Sequence, residues 1–343
     1  MHPPSATELR AAAHVVRLPL RTRFRGLVER EALLLRGPAG WGEFAPFAEY
    51  DDAEASRWLA SALEQAWGSG PPAAVRDDVP VNATVPAVAA VDVAGVLARF
   101  DGCTTAKVKV GERGQTLADD VARVAEVRSV LGPAGRVRVD ANAAWSVDDA
   151  VRALAALAPY GLEYAEQPCA GLDGLRDVRR ALARAGVDVL VAADESVRKA
   201  QDPLRVAVAG AADVVVVKVA PLGGVAAALD VAGTLGADHG IPVVVSSALD
   251  TSVGIAAGVA LAAALPDLPY ACGLGTVSLL GQDVAADPLV PVAGAIGAAR
   301  ARAAAADETR LAALAAPADR RDWWLDRLER CADLLRDRKT GAS

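Results

Sequence analysis

From Val79 onward the chain repeats one pattern, a short apolar or β-branched run followed by a longer alanine-rich stretch of helical period. Candidate strands fall at 81–84, 105–110, 137–142, 162–166, 189–194, 214–218, 243–247 and 270–274. Between two of them, Leu117, Val121, Val124, Val127 and Leu131 recur at spacings of three and four, which marks one face of a helix. Ser146 and Asp149 have the form of a capping box opening the next helix. Repeating β/α units of roughly 25–30 residues fit a closed barrel of about 250 residues. An open doubly wound sheet needs no eighth strand and usually carries a G-x-G-x-x-G loop after its first strand, and none is present. The pattern therefore predicts an α/β fold, a modified (β/α)8 TIM barrel.

The segment before Val79 has a different texture. Residues 13–18 and 29–36 read as strands separated by an arginine-rich loop, 21–26, and Trp41-Gly42-Glu43-Phe44 follows the turn Gly37-Pro38-Ala39-Gly40 as a third strand. Asp51 and Asp52 then precede a helical stretch over 53–67, where acidic groups suit a helix N-terminus. This predicts a small α+β capping domain over 1–78, a barrel over 79–286, and a C-terminal segment, 287–343, that packs back on the cap. Trp324, Leu328, Cys331 and Leu335 make the apolar face of a helix in that segment.

Ala106-Lys107-Val108-Lys109-Val110 is a strand with two lysines on one face, because strand side chains alternate with period two. Buried ammonium groups need anions. The later strands end in Asp140 with Asn142, Glu166, Asp194 and Lys218, and residues at those ends of a barrel face one mouth. Asp140, Glu166 and Asp194 offer three oxygen donors with no His or Cys nearby, a set suited to Mg²⁺ or Mn²⁺. Asn142 shares a face with Asp140 and reads as a partner one step behind the metal or as a fourth ligand. Glu195 should point away. A lysine near a divalent cation and a second ammonium has its pKa lowered and can act as a base.

At 343 residues and 53% hydrophobic, the chain can bury a large core, and a net charge of −7 without a basic block argues against nucleic acid. Cys103, Cys169, Cys272 and Cys331 are scattered, which argues against disulfides or zinc and suits a reducing cytoplasm. His2, His14 and His239 form no cluster. Residues 1–10 do not have the form of a signal peptide, and the run 253–265 is too short to cross a bilayer.

Trp41-Gly42-Glu43-Phe44-Ala45-Pro46, Lys107-Val108-Lys109, Asp140-Ala141-Asn142, Glu166-Gln167-Pro168, Asp194-Glu195-Ser196 and Lys218 together resemble the enolase superfamily, in its muconate-cycloisomerase-like subgroup. The resemblance spans nearly the whole chain and implies a (β/α)7β barrel under a capping domain. A Lys base with Mg²⁺ stabilising an ene-diolate is the known pattern of that superfamily. The mandelate-racemase branch is disfavoured, because Ser246 and Ser247 stand where a histidine base would follow the seventh strand. Phe24-Arg25-Gly26, the runs 44–52 and 246–254, and Gly273-Leu274-Gly275-Thr276 are similar to a hydro-lyase branch of menaquinone biosynthesis. Dipeptide epimerases typically carry an acidic D-x-D pair after the eighth strand. Here Gly273 and Gly275 would instead offer backbone N–H groups to an anionic tail.

The resemblance implies loss of water from a small cyclohexadiene carboxylate. Lys109 would remove the proton α to the carboxylate, Lys107 would tune it, and Lys218 would face the other side of the ring. Ser246, Ser247, Gly273 and Gly275 would line the substrate, with Arg25 and Tyr50 closing the lid. The same residues would also serve an N-succinylamino acid racemase. A degenerate barrel kept only for binding would have lost one of these groups, and none is missing.

Overall fold

The computed structural model describes residues 4–198 and 203–341, so His2 lies outside the described residues. Three antiparallel strands, β1 (Ala13–Phe24), β2 (Leu27–Gly37) and β3 (Gly40–Phe44), form the sheet of the small domain. The arginine-rich stretch expected to loop is strand as far as Phe24. Only Arg25 and Gly26, both at positive φ, make the turn. Alternation explains this: Arg21 and Arg23 point to solvent while Phe24 is buried. Helix Asp52–Trp67 starts where the side chain of Asp51 accepts the backbone N–H of Glu54 at 2.7 Å.

After β4 (Asp78–Pro80) comes the large sheet: β5 (Ala83–Val85), β6 (Thr105–Lys109), β7 (Arg136–Asp140), β8 (Leu162–Glu166), β9 (Val191–Ala193), β10 (Val214–Lys218) and β11 (Val243–Ser246). These seven strands are parallel and lie in chain order. Helices Leu117–Leu131, Val147–Leu157, Gly171–Ala185, Val225–His239 and Ser252–Ala264 fall between and after them. Ser146 caps its helix as the spacing predicts, accepting from the N–H of Asp149 at 3.1 Å. Outward residues of the strands, such as Val108, Val139, Val191 and Val215, pack into the main core. Inward residues Tyr164, Ala192, Val214, Val216 and Val244 fill the floor of the lumen with Tyr270.

The eighth strand expected at 270–274 is reduced to two bridges, Val81 with Cys272 and Ser246 with Gly273. They still join the edges of the sheet: Cys272 donates to Pro80 O at 2.7 Å and Gly273 donates to Val245 O at 2.8 Å. Gly273 passes close to β11, where a Cβ on it would lie 2.4 Å from Ser246 Oγ.

The last helix, Ala318–Gly341, lies against the cap. Trp324, Leu328 and Cys331 share one buried cluster with Phe44, Trp58 and Leu59. The part of the tail before it behaves differently. β12 (Ala295–Gly297) pairs with β4, and Leu289, Ile296, Leu311 and Leu314 join the main core.

Cap and barrel are tied by two buried polar side chains. Glu43, on β3, accepts the backbone N–H groups of Thr251 and Gly254 at 3.1 and 3.0 Å, at the start of helix Ser252–Ala264. Arg30, on β2, donates to the carbonyls of Ala45 and Leu249. The cap is thereby held over the C-terminal ends of the barrel strands.

Candidate active site

Register brings the charged strand ends together. Lys109 pairs with Asp140, and Asp140 with Glu166, across β6, β7 and β8. Asp194 follows β9, and Lys218 ends β10 in register with Ser246. Lys107 Nζ lies 2.8 Å from Glu166 Oε1 and 3.3 Å from Asp140 Oδ2. Lys109 Nζ lies 2.5 Å from the same Asp140 oxygen and 2.6 Å from Asn142 Oδ1. Lys218 Nζ lies 2.5 Å from Asp194 Oδ2. The six charged groups are nearly or wholly buried. Burial strengthens such contacts, and it makes an unpaired charge here costly.

The environments split chemically equal groups. Burial lowers the Lys109 amine, and the Lys107 ammonium lowers it further against the pull of Asp140. Burial alone would lower Lys107 too, but Glu166 and Asp140 more than offset it and hold this lysine above its ordinary value. Burial opposes ionising Asp140, yet Lys109 and Lys107 keep its carboxyl below the usual range. Glu166 is pushed up to about 7, first by burial and then by Asp140, with Asp194 adding to it. Burial is the larger cause of that rise, and the like charges gathered beside it add to it.

The three carboxylates are buried, come from neighbouring strand ends, repel one another and carry only oxygen donors. This chemistry fits a hard divalent cation. In the present arrangement they are turned to the lysines: among the described residues no group of three His, Cys, Asp or Glu closes into a metal cage.

Other expected residues fall less centrally. Ser246 faces the lumen beside Lys218 and lines a small cavity with Glu43, Trp58 and Asp250. Ser247 Oγ donates to Gly273 O at 2.7 Å and lies 2.9 Å from Thr276 Oγ1, so it helps close the barrel. The Gly273 N–H is spent on Val245 O, which corrects its expected role as an anion donor. A Cβ on Gly275 would meet Asn82 O and the Phe100 ring, so that residue packs against the barrel wall. Arg25 stacks over Phe47 at 4.5 Å, and Tyr50 is buried among Phe47 and Trp58 in the cap. Both belong to the cap's packing. Nearer the lysines, the Phe24 ring centroid lies 5.2 Å from Lys109 Nζ.

Three further residues went unforeseen. Thr84 is in register with Lys107 and so shares its face; its buried hydroxyl has no hydrogen-bond partner among the described residues. Glu195 accepts from Asn142 Nδ2 at 3.1 Å instead of pointing away. The alternation that argued against it stops at Ala193, because a helical turn begins at Glu195. Arg123, buried in helix Leu117–Leu131, holds the Lys109 carbonyl at 2.8 Å. Its i,i+3 spacing from Asp120 was visible in the sequence, its partner was not.

The family model described as enolase C-terminal domain-like matches residues 89–302, and the enolase N-terminal domain-like model matches 15–66. The chain belongs to the enolase superfamily. It is 58% identical over 333 residues to the o-succinylbenzoate synthase of Mycolicibacterium smegmatis, covering 97% of this chain and 98% of that protein. To the synthase of Thermobifida fusca it is 62% identical over 279 residues, covering 81% and 84%. Within the superfamily its place is therefore among the o-succinylbenzoate synthases, which are hydro-lyases. Among solved structures, muconate lactonizing enzyme from Pseudomonas fluorescens matches with a TM-score of 0.73 at 23% identity, over 89% of this chain and 98% of that one. The L-Ala-D/L-Glu epimerase from Bacillus subtilis matches at 0.71 and 24%, over 83% and 94%. These two likenesses show the fold alone.

Proposed function

We propose that this chain dehydrates 2-succinyl-6-hydroxy-2,4-cyclohexadiene-1-carboxylate to 2-succinylbenzoate, the o-succinylbenzoate synthase step of menaquinone biosynthesis, with Lys109 as base. The observation that carries this reading is the geometry of one barrel mouth, with Lys107 and Lys109 at the end of β6, Lys218 at the end of β10, and Asp140, Glu166 and Asp194 on the strand ends between them. Neutral Lys109 takes the proton from the ring carbon bearing the carboxylate. The electron pair moves into the carboxylate and then expels the hydroxyl from the neighbouring carbon. Lys109, now an ammonium, returns its proton to the departing oxygen, so water leaves and the ring becomes aromatic. Lys218, across the mouth, stays a cation beside the anionic intermediate. Thr84 and Ser246 supply neutral polar contacts from the lumen wall. Phe24 keeps bulk water off Lys109.

Asp140, Glu166 and Asp194 would hold Mg²⁺ or Mn²⁺. Such a cation would stabilise the negative charge that builds on the substrate carboxylate. Four cysteines without disulfide bonds fit a cytoplasmic enzyme, and no helix among the described residues is long and apolar enough to cross a membrane.

The test is a dehydration assay with the cyclohexadiene carboxylate, with added Mg²⁺ and with chelator. Formation of 2-succinylbenzoate that stops with chelator and returns with Mg²⁺ is expected. Turnover indifferent to chelator would remove the metal from the reading. Absence of turnover, together with deuterium exchange into an N-succinyl amino acid in D₂O, would replace dehydration by racemisation.

A further inference from the structure

Lys109 has four side-chain torsions, and its anionic partner does not fix them. Asp140 Oδ2 is shared with Lys107, so that oxygen could draw either ammonium. The second acceptor on Lys109, Asn142 Oδ1 at 2.6 Å, is its own. An asparagine can turn either its oxygen or its NH₂ group toward a neighbour; an NH₂ cannot donate to an ammonium and would tie up the lone pair of a neutral amine, so the oxygen is the end that suits a base. Glu195 settles which, because its Oε1 accepts from Asn142 Nδ2 at 3.1 Å and leaves Oδ1 to face the lysine.

The backbone around both residues is built for this. Asn142 and Ala143 both sit at positive φ, an uncommon conformation outside glycine, and Asn142 N donates to Asp140 Oδ1 at 3.0 Å. On the other side, Gln167 Oε1 accepts from the N–H groups of Asp194 and Ser196 at 3.0 and 3.1 Å, which pins the turn carrying Glu195. Gln167 is itself at positive φ. Loops after three neighbouring strands thus converge on the orientation of one amide.

We infer that Glu195, acting through the Asn142 amide, is a positioning residue for Lys109. The inference rests on Lys109 being the base. An amide oxygen accepts from a lysine whether the amine is charged or neutral, since both forms keep N–H donors. With one N–H directed at Asn142, the lone pair of neutral Lys109 is turned toward the lumen, where the substrate carbon must sit.

The experiment is a double-mutant cycle in the Mg²⁺-loaded enzyme with the cyclohexadiene carboxylate. Asn142→Gly removes the amide and leaves a residue at ease with positive φ. Asn142→Ala removes it and strains the turn. Both should lower kcat about 100-fold with KM within about threefold, because a misaimed base costs turnover and not binding. Glu195→Ala should cost about tenfold in the native chain and less than about twofold in the Asn142→Gly background. Normal turnover in Asn142→Gly would overturn the inference, assigning Asn142 to the backbone alone. A full further loss from Glu195→Ala on top of Asn142→Gly would overturn it too, as would a matching fall in Mg²⁺ affinity, which would trace the effect to Asp194. If Lys109→Ala itself still turned over, the base assignment would fall, a result separate from these.

Discussion

The two sides of the barrel mouth use the same residue types and balance charge differently. On the β6–β8 side, two lysines face two carboxylates, and one oxygen of Asp140 serves both amines. On the β10 side, Lys218 meets Asp194 and has the neutral Ser246 as its strand neighbour. Two lysines, two residues apart on one strand, end up shifted in opposite directions: burial lowers both, the Lys107 ammonium adds to that at Lys109, and Glu166 with Asp140 outweighs it at Lys107. On the proposed reading, proton transfer belongs to the crowded side and Lys218 faces the other side of the ring.

Lys109→Ala should break this comparison most severely. Loss of one group that acts first as base and then as acid should lower kcat about 10³- to 10⁴-fold, at the upper end of what acid–base catalysis supplies. Mg²⁺ titration and thermal unfolding serve as controls, and an enzyme retaining a tenth of its activity would take the base role from Lys109. Asp194→Ala comes next. It should weaken Mg²⁺ affinity by more than about 100-fold, beyond the range for partners one step behind a metal; an unchanged titration would remove Asp194 from the ligand set. Lys218→Ala should lower kcat about 10²- to 10³-fold with little change in KM, as for a group that acts on developing charge. A rise in KM with kcat preserved would make Lys218 a substrate anchor instead.

The smallest effect sharpens the comparison with a buried carboxyl on the cap. Glu43 is pushed up to about 8, by burial first and by Asp250 second. An acid held neutral in the fold but ionised in the unfolded chain makes stability fall as pH rises from its ordinary 4.5 towards 8. Glu43→Gln cannot ionise in either state. Its Tm should therefore fall less than that of the native chain between about pH 5 and about pH 8. Parallel curves would show that Glu43 is ionised in the fold throughout.

Most of the mouth is legible in the sequence because strand period two makes it so. Lys107 and Lys109 share a face, and Asp140, Glu166 and Asp194 stand where strands end. What the alternation cannot reach is where it stops. Glu195 begins a helical turn, Asn142 leaves its strand through positive φ, and Gln167 does the same, so their side chains go where no periodicity points. Phe24 was hidden for a different reason. Its arginine neighbours suggest a loop, whereas they form the exposed edge of a hairpin whose inward residue caps Lys109. The eighth barrel position was misjudged in regularity, where Gly273 passes close to the Ser246 side chain. The cap's hold on the barrel, through Glu43 and Arg30, depends on contacts more than 200 residues apart in sequence, which no local pattern records.

The most direct test of the central claim is a crystal structure of the enzyme with Mg²⁺ and 2-succinylbenzoate. The account predicts the cation on Asp140, Glu166 and Asp194, with the ring between the amines, Lys109 Nζ on one face at the carboxylate-bearing carbon and Lys218 Nζ on the other. A cation bound elsewhere, or both amines on one face of the ring, would contradict it.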